Sequence, residues 1–246
     1  MAIAPATRRS SASLVARVAC AGALIVVLGF LAFKAGKEGL SNFYAQSAHL
    51  EIERWSAPGQ RLRGDEWVQV LQYLAQSLRF SPDSAWPLEQ KATLHLRMMR
   101  AATDPQLARA AALSANRDFH LALIERPTSP FAWGNLALTK LYLEERDDEL
   151  VRALLRAEEL GPWEPAVQQS VVFVGLALWN ELDAAQQAVV FRAMARGAQR
   201  NAGAMAEIAK AFKRSELFCA IRNNSSIKGL DVCSRIGKSG KISTQK

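Results

Sequence analysis

Histidines and clustered carboxylates are the side chains of this sequence that could ligate a metal or transfer protons. His49, His95 and His120 lie far apart along the chain, and none stands at ligand spacing from a cysteine or another histidine. His120 follows Phe119 inside a helical pattern, where a surface or half-buried histidine is the simpler interpretation. We therefore predict no catalytic residue, no metal ligand and no bound cofactor.

An acidic run, "LEERDDEL" at 143–150, is the strongest candidate for a divalent-cation site. It separates two helical patterns, and Asp147, Asp148 and Glu149 stand where the second helix should begin. Carboxylates at a helix start accept hydrogen bonds from free N–H groups and face the positive end of the helix dipole, so we favour capping over metal binding. An enzyme acting on glycans would need two carboxylates lining a cleft, and the sequence singles out no such pair.

Tryptophan is the other residue type with binding potential, because aromatic faces stack on sugar rings. Trp86 and Trp133 each follow an alanine in similar contexts. We interpret both as packing residues of a repeat and predict that they are buried in the core. The sequence leaves the roles of Trp55, Trp163 and Trp179 undetermined.

Three helical patterns each run into a proline, at Pro82, Pro127 and Pro162. Residues five, eight and twelve positions before each proline follow the small-large-small pattern of the second helix of a tetratricopeptide repeat. Small residues let a neighbouring helix approach, and we expect the proline to end one helix and start the next. The predicted packing residues are Val70, Leu74 and Ser77 in the first pattern, Ala115, Phe119 and Ala122 in the second, and Leu150, Leu154 and Ala157 in the third.

The first helix of such a repeat is recognisable after the second of these prolines. Trp133, Leu136 and Ala137 match the Trp-x2-Leu-Gly pattern with alanine in place of glycine. The eleventh position, usually aromatic, is Lys140, and Tyr142 lies close by.

Stacked hairpins of this kind share a continuous core and present an extended concave face. The prolines are 45 and 35 residues apart, which indicates an insertion near "AATDPQLARA". Asn135 stands where some tetratricopeptide grooves bind a peptide carboxylate, although the sequence does not show which basic residues would complete such a site.

A membrane segment precedes the repeats. Sixteen uncharged, mostly apolar residues lie between Arg17 and Lys34, and as a helix they would be about 24 Å long, close to the ~30 Å hydrocarbon core. The run has no polar face, which disfavours a buried core helix, and Phe30 or Phe33 at the −3 position disfavours cleavage as a signal peptide. We predict an uncleaved anchor that contacts the bilayer through residues 18–35.

The net charge of +8 belongs to the ends of the chain. Residues 1–17 carry three basic groups and no acid, residues 213–246 carry eight basic and two acidic groups, and residues 18–212 sum to −1. A nucleic-acid-binding protein would carry this charge on its folded part, so we predict no such partner. The basic leader favours a cytoplasmic N-terminus with residues 36–246 in the periplasm, and the basic tail could contact anionic lipid or an acidic glycan.

Cys219 and Cys233 flank thirteen residues rich in turn formers. An oxidising compartment favours a disulfide between them, whereas two free thiols remain the alternative. The predicted segments are a basic cytoplasmic leader (1–17), a transmembrane helix (18–35), a juxtamembrane helix and linker (36–63), a tetratricopeptide-like domain (64–212) and a less compact basic tail (213–246). Alanine and leucine dominate over valine, isoleucine and threonine, so the predicted fold is all-α, a membrane helix followed by a short α-solenoid of antiparallel hairpins.

Two blocks resemble the VpsP-like family of polysaccharide biosynthesis accessory proteins, namely Pro-x-Ala-Trp-x-Asn-Leu-Ala at 130–137 and Glu-Leu-Gly-Pro-Trp-Glu-Pro at 159–165. The likeness extends over residues 14–200. Members of that family are bacterial and combine one membrane helix with a small tetratricopeptide-like domain. The resemblance implies a role in exopolysaccharide production or export and supplies no catalytic residue.

We therefore expect a single-pass bacterial inner-membrane protein, not an enzyme, that binds other proteins of a polysaccharide assembly system. The same scaffold would suit an assembly factor for pili, secretion or cytochrome maturation. The sequence leaves open the partner-binding residues, whether the groove takes peptide or glycan, and whether the chain self-associates.

Overall fold

A computed structural model describes residues 9–55, 64–223 and Cys233. These residues form helices without any strand, which confirms the predicted all-α fold. The helices of the described chain are α1 (Arg9–Trp55), α2 (Gly64–Phe80), α3 (Ala85–Ala101), α4 (Pro105–Glu125), α5 (Pro130–Tyr142), α6 (Asp148–Leu160), α7 (Pro165–Ala177), α8 (Ala184–Ala211) and α9 (Ser215–Asn223).

Helix α1 contains the apolar segment and is long and apolar enough to cross a membrane. None of its most hydrophobic window, with a mean hydropathy of 2.3, is buried within the protein. The helix continues to Trp55 without a break, so the predicted membrane and juxtamembrane helices form one rod. Of the described helices, α1 is the one that meets this test of length and composition.

Helices α1 and α2 pack together within the first of two compact units, Met1–Asp83. Ser41 and Ser77 are buried, and Ser41 Oγ donates to the Ser77 backbone oxygen over 3.0 Å. Val70 and Leu74 of α2 are fully buried. The residues that the sequence assigns to the packing face of a first repeat therefore pack α2 against α1. Helix α2 belongs to the first unit, whereas the later hairpins belong to the second.

The second unit, Ser84–Lys246, contains the hairpins α3–α4, α5–α6 and α7–α8, followed by α9. The predicted packing residues of its second helices are all buried: Ala115, Phe119, Ala122, Leu150, Leu154 and Ala157. On the first helix of the middle hairpin, Leu136 and Ala137 are also buried. The longer first interval reflects longer helices, with 17 and 21 residues in α3 and α4 against 13 in both α5 and α6.

The turns after α2, α4 and α6 have the same form. In each turn, the backbone N–H of the residue just before the proline donates a hydrogen bond to a backbone oxygen four residues earlier. That oxygen belongs to the small residue of the predicted pattern. The bonds run from Ser81 to Ser77, from Arg126 to Ala122 and from Gly161 to Ala157. The sequence pattern predicts that Pro82, Pro127 and Pro162 start the next helices, and this prediction is wrong. All three prolines lie inside the turns. The missing N–H of proline instead suits the first helical positions, which Pro130 and Pro165 occupy.

The end of the second unit is more structured than the sequence indicates. Asn201 has non-helical backbone angles and kinks α8, and its side chain accepts a hydrogen bond from the N–H of Ala204. Helix α9 packs on α8 and buries Phe218, although the sequence predicts a less compact chain past Lys213. A disulfide joins Cys219 to Cys233, and both are buried.

Candidate partner-binding groove

Side chains from the first helices of the hairpins fix the turns that precede them. Trp133 Nε1 donates to the backbone oxygen of Pro127 over 2.8 Å, and Gln168 Nε2 makes the equivalent bond to Pro162, also 2.8 Å long. Both residues are the fourth of their helices. The repeat tryptophan thus acts as a hydrogen-bond donor to the turn, and glutamine serves the same purpose one hairpin later.

Trp86 does not share the position of Trp133. It is the second residue of α3, equivalent to Phe131 in α5, because both stand four residues after a turn proline. The Ala-Trp pairs that look alike in sequence are therefore out of register by two residues. Trp86 is half-buried and lines a groove, and Trp133 is partly buried against the core, whereas the sequence predicts full core burial for both.

The first helices of the three hairpins, α3, α5 and α7, together line a groove of about 810 Å³. This is the concave face that stacked hairpins are expected to present. Four aromatic side chains line it, together with carboxamides and hydroxyls from all three helices. These residues are Trp86, Phe131, Tyr142 and Phe173, with Gln90, Thr93, Asn135, Gln169 and Ser170.

The groove needs close packing between its helices. Gly134 of α5 faces α6 and α7, and a Cβ at this position would lie 3.5 Å from the Ser170 Cβ and 3.7 Å from the Ala157 Cβ. A larger side chain there would push the helices apart. Distances of 3.5 and 3.7 Å are ordinary van der Waals contacts, so alanine would fit here, and a small residue at this position allows α5 to pack closely on α6 and α7.

Residues beyond the kink in α8 also contribute to the groove. Ile208 is part of the lining, and Phe212 packs edge-to-face on the lining residue Phe173 with ring centroids 4.9 Å apart. The sequence pattern does not predict this contribution of α8 to the groove. Asn201 and its neighbours Gly197 and Gly203 are the residues that could have indicated a kink in α8. Asparagine and glycine are also common in loops, so they do not specify a kink.

An ion pair between buried Glu89 and exposed Arg126 lies in the wall of the groove. Glu89 is 7% exposed and accepts hydrogen bonds from Arg126 Nη2 at 2.7 Å and from Ser129 Oγ at 2.9 Å. Ser129 also caps α5 by accepting from the N–H of Ala132. The carboxylate of Glu89 is thereby engaged within the protein.

Unlike Arg126, the arginines near the C-terminal end of α3 and the N-terminal end of α4 have no carboxylate partner among the described residues. Arg97 and Arg100 line the groove and are exposed. A second cavity of about 690 Å³ shares Arg100 and Tyr142 with the groove and adds Arg109 of α4. Among the described residues, no carboxylate lies within ion-pair distance of these three arginines, although Asp104 and Glu144 lie in the loops at this end of the hairpins. Their positive charge therefore faces solvent.

Several other charges of the second unit pair with each other inside the protein, beginning with the acidic run. Lys140 is 3% exposed, and its Nζ lies 2.8 Å from Glu149, 2.9 Å from Asp147 and 3.1 Å from Glu145. Burial acts to lower the pKa of Lys140, but the bonds to Glu149, Asp147 and Glu145 outweigh it and raise the pKa above its ordinary value. The ammonium stays charged and fills the buried eleventh position.

The acidic run is a helix start, as the sequence suggests. Asp147 is the N-cap of α6 and accepts a hydrogen bond from the N–H of Leu150. Burial acts to raise its pKa, but this bond and the charge of Lys140 lower it. Within the described part of the chain, no group of three or more histidine, cysteine or acidic side chains could hold a metal ion.

His95 lies at the same position of α3 as Lys140 in α5, and it also meets a carboxylate of the second helix. Its Nδ1 is 3.1 Å from Asp118 Oδ2, and Lys91 Nζ is 3.2 Å from the same oxygen. Burial acts to raise the pKa of Asp118, but the hydrogen bond with His95 and the charge of Lys91 hold it below its ordinary value. This pair links α3 to α4, so we interpret it as structural.

The remaining candidate residues lie outside the groove lining. His49 and His120 face Glu53 and Glu149 at 3.1 Å and 3.7 Å, and both are partly exposed. Trp163 is 56% exposed in the turn after α6, where the Arg196 guanidinium lies 5.6 Å from its ring centre. The structure does not bring these side chains together.

Comparison with known proteins finds no matching family, no matching curated protein and no matching solved structure. The assignment of a function therefore depends on the chemistry of the groove and of α1.

Proposed function

We propose that this protein is a membrane-anchored scaffold whose groove holds a segment of a partner protein. The groove is the observation that carries this proposal, because three helices contribute partly or fully exposed aromatic and amide side chains to one concave face, and α3 adds two exposed arginines. Protein interfaces are enriched in these aromatic and arginine residues. Two buried charges elsewhere in the unit, Lys140 and Asp118, are paired with internal partners.

The membrane anchor allows weak contacts between the groove and a membrane-bound partner to be sufficient for binding. A helix that crosses the membrane restricts the groove to a thin layer near the bilayer, which raises its effective concentration toward membrane-bound partners. The long apolar α1 supports this arrangement.

We place the groove in the periplasm and the N-terminus in the cytoplasm. The arginines of residues 1–17 support this orientation through the positive-inside rule. The disulfide between Cys219 and Cys233 supports it independently, because such bonds persist in oxidising compartments.

The system that we propose is exopolysaccharide assembly in the bacterial inner membrane. Its support is the resemblance of residues 130–137 and 159–165 to the VpsP-like accessory proteins. An assembly factor for pili, secretion or cytochrome maturation would have the same anchor and groove, so partner identity decides between these systems.

Photocrosslinking in native membranes tests the proposal. p-Benzoylphenylalanine would replace Gln169, which lines the groove, and in a matched control it would replace Arg152, which is exposed on α6 outside the groove lining. We expect protein adducts from position 169 and not from 152, with polysaccharide-synthesis proteins identified in them by mass spectrometry. Adducts with pilus, secretion or cytochrome-maturation proteins would contradict the choice of system. Equal labelling at both positions would contradict the groove as the binding surface.

A further inference from the structure

Three unpaired arginines give one end of the groove a distinct chemistry. Arg97 and Arg100 are three residues apart on α3 and so share a face of that helix. Arg109, on α4, lines the adjoining cavity, which Arg100 also lines. Tyr142 lines both cavities and is 43% exposed. A cationic region therefore continues from the groove around one aromatic side chain.

The rest of the groove does not balance this charge. Among the lining residues that the structure describes, Glu89 is the one carboxylate, and it is bound by Arg126 and Ser129. Arginine without a partner in a concave site favours ligands that bring carboxylates or phosphates.

The remaining lining residues indicate a polypeptide. Leu96, Leu138 and Ile208 also line the groove, and together with the aromatic residues they suit aliphatic or aromatic side chains of a ligand. Gln90 and Asn135 carry carboxamides that can both donate to and accept from an extended main chain. A neutral sugar polymer carries hydroxyls but no anion to pair with the exposed arginines, whereas an acidic polypeptide supplies both carboxylates and apolar side chains.

We infer that the groove binds an acidic segment of its partner protein, in which carboxylates meet Arg97, Arg100 and Arg109 and apolar side chains occupy the aromatic part. This inference rests on the proposed scaffold function and specifies the partner's chemistry. The positive charge of these three arginines is complementary to an acidic segment. Lys140 and Asp118 already pair within the hairpins and are not available to bind a partner. Arg97, Arg100 and Arg109 act as the specificity-determining residues.

Peptide binding to the full-length chain in neutral phosphatidylcholine nanodiscs tests this inference. The probe is a fluorescein-labelled peptide in which glutamates alternate with leucine and phenylalanine, and its counterpart carries glutamine in place of every glutamate. The groove variant is R97Q/R100Q/R109Q. The control is R152Q/R192Q, which removes two exposed arginines outside both cavities.

We expect the acidic peptide to bind the wild type and the control variant alike, and to bind the groove variant at least tenfold more weakly. The glutamine peptide should bind all three proteins weakly, and salt should reduce the affinity of the acidic peptide. Because every variant keeps the basic tail, binding to the tail would appear as equal affinity for all of them.

Equal affinity of the groove variant, or of the glutamine peptide, would overturn the inference. An acidic oligogalacturonate that bound the wild type more tightly than the peptide would overturn the choice of a polypeptide. Either result leaves the crosslinking test of the scaffold function unaffected, because that test requires only a protein adduct from position 169.

Discussion

Lys140 and the arginine trio of Arg97, Arg100 and Arg109 are cations of the same helical unit with opposite surroundings. Lys140 is buried, and three carboxylates from the following turn and helix lie within 3.1 Å of its ammonium. The arginines are exposed, line connected cavities and have no ion-pair partner among the described residues. The first arrangement stabilises a hairpin, whereas the second leaves charge available to another molecule.

The difference separates structural from functional charge without reference to any related protein. Removing a buried, paired charge leaves its partners unsatisfied and destabilises the fold. Removing an exposed, unpaired charge has little effect on folding. Each variant below is therefore expected to change either stability or binding.

Lys140→Ala is expected to have the largest effect on stability. The change removes three ion pairs and leaves a void at the eleventh position of the hairpin, so we expect a loss of about 3 kcal/mol in the free energy of unfolding. Urea unfolding of the full chain in nanodiscs, followed by circular dichroism, measures it. Lys210→Ala, on the exposed surface of α8, is the control and should unfold as the wild type. A Lys140→Ala protein as stable as this control would contradict the structural role given to Lys140.

Asp118 should make the stability of the second unit dependent on acid. Because the pKa of Asp118 is lower in the folded than in the unfolded chain, its contribution is present above the ordinary carboxyl pKa and is lost as pH falls through the folded value. Asp118→Asn should cost about 1–3 kcal/mol at pH 7. Unfolding curves at neutral and acidic pH should show the two proteins converging as the pH falls. A constant difference at every pH would contradict the role given to the Asp118 carboxylate.

Trp133→Phe is a smaller perturbation of the repeat itself. The phenyl ring keeps most of the packing but cannot donate to the Pro127 oxygen, so we expect a loss of about 1 kcal/mol. Gln168→Leu removes the equivalent bond in the next hairpin and should have a similar effect. Chemical unfolding measures the loss of unfolding free energy in both variants. If one substitution has no effect and the other is strongly destabilising, the two hydrogen bonds are not equivalent.

The groove variant R97Q/R100Q/R109Q should have the smallest effect on stability. We expect its unfolding free energy to stay within about 0.5 kcal/mol of the wild type, because these side chains have no internal partner to lose. Differential scanning calorimetry against R152Q/R192Q sharpens the comparison. A large destabilisation of the groove variant alone would show that the trio is structural.

The hairpins could be predicted because their determinants are local. Small residues such as Ala122 and Ala157, followed at a fixed distance by a proline, specify where a second helix packs and where it ends. The turn pairing of Trp133 was not predictable in the same way, since Trp86 shares its alanine neighbour but lies two positions earlier in its helix.

The groove itself depends on distant residues. Arg97 and Arg109 are brought to connected cavities by the packing of α3 on α4, and Ile208 reaches the groove only because α8 kinks at Asn201. Sequence spacing identified Asn135 as a candidate but could not show which arginines lie near it. Long-range placement of this kind follows from tertiary packing and leaves no periodic signal in the chain.

The most direct test of the central claim is the yield of protein adducts from p-benzoylphenylalanine at position 169 in membranes. It should be compared between R97Q/R100Q/R109Q and R152Q/R192Q. The account predicts that the partner adduct is lost from the groove variant and retained in the control. An adduct of undiminished yield in the groove variant would contradict it.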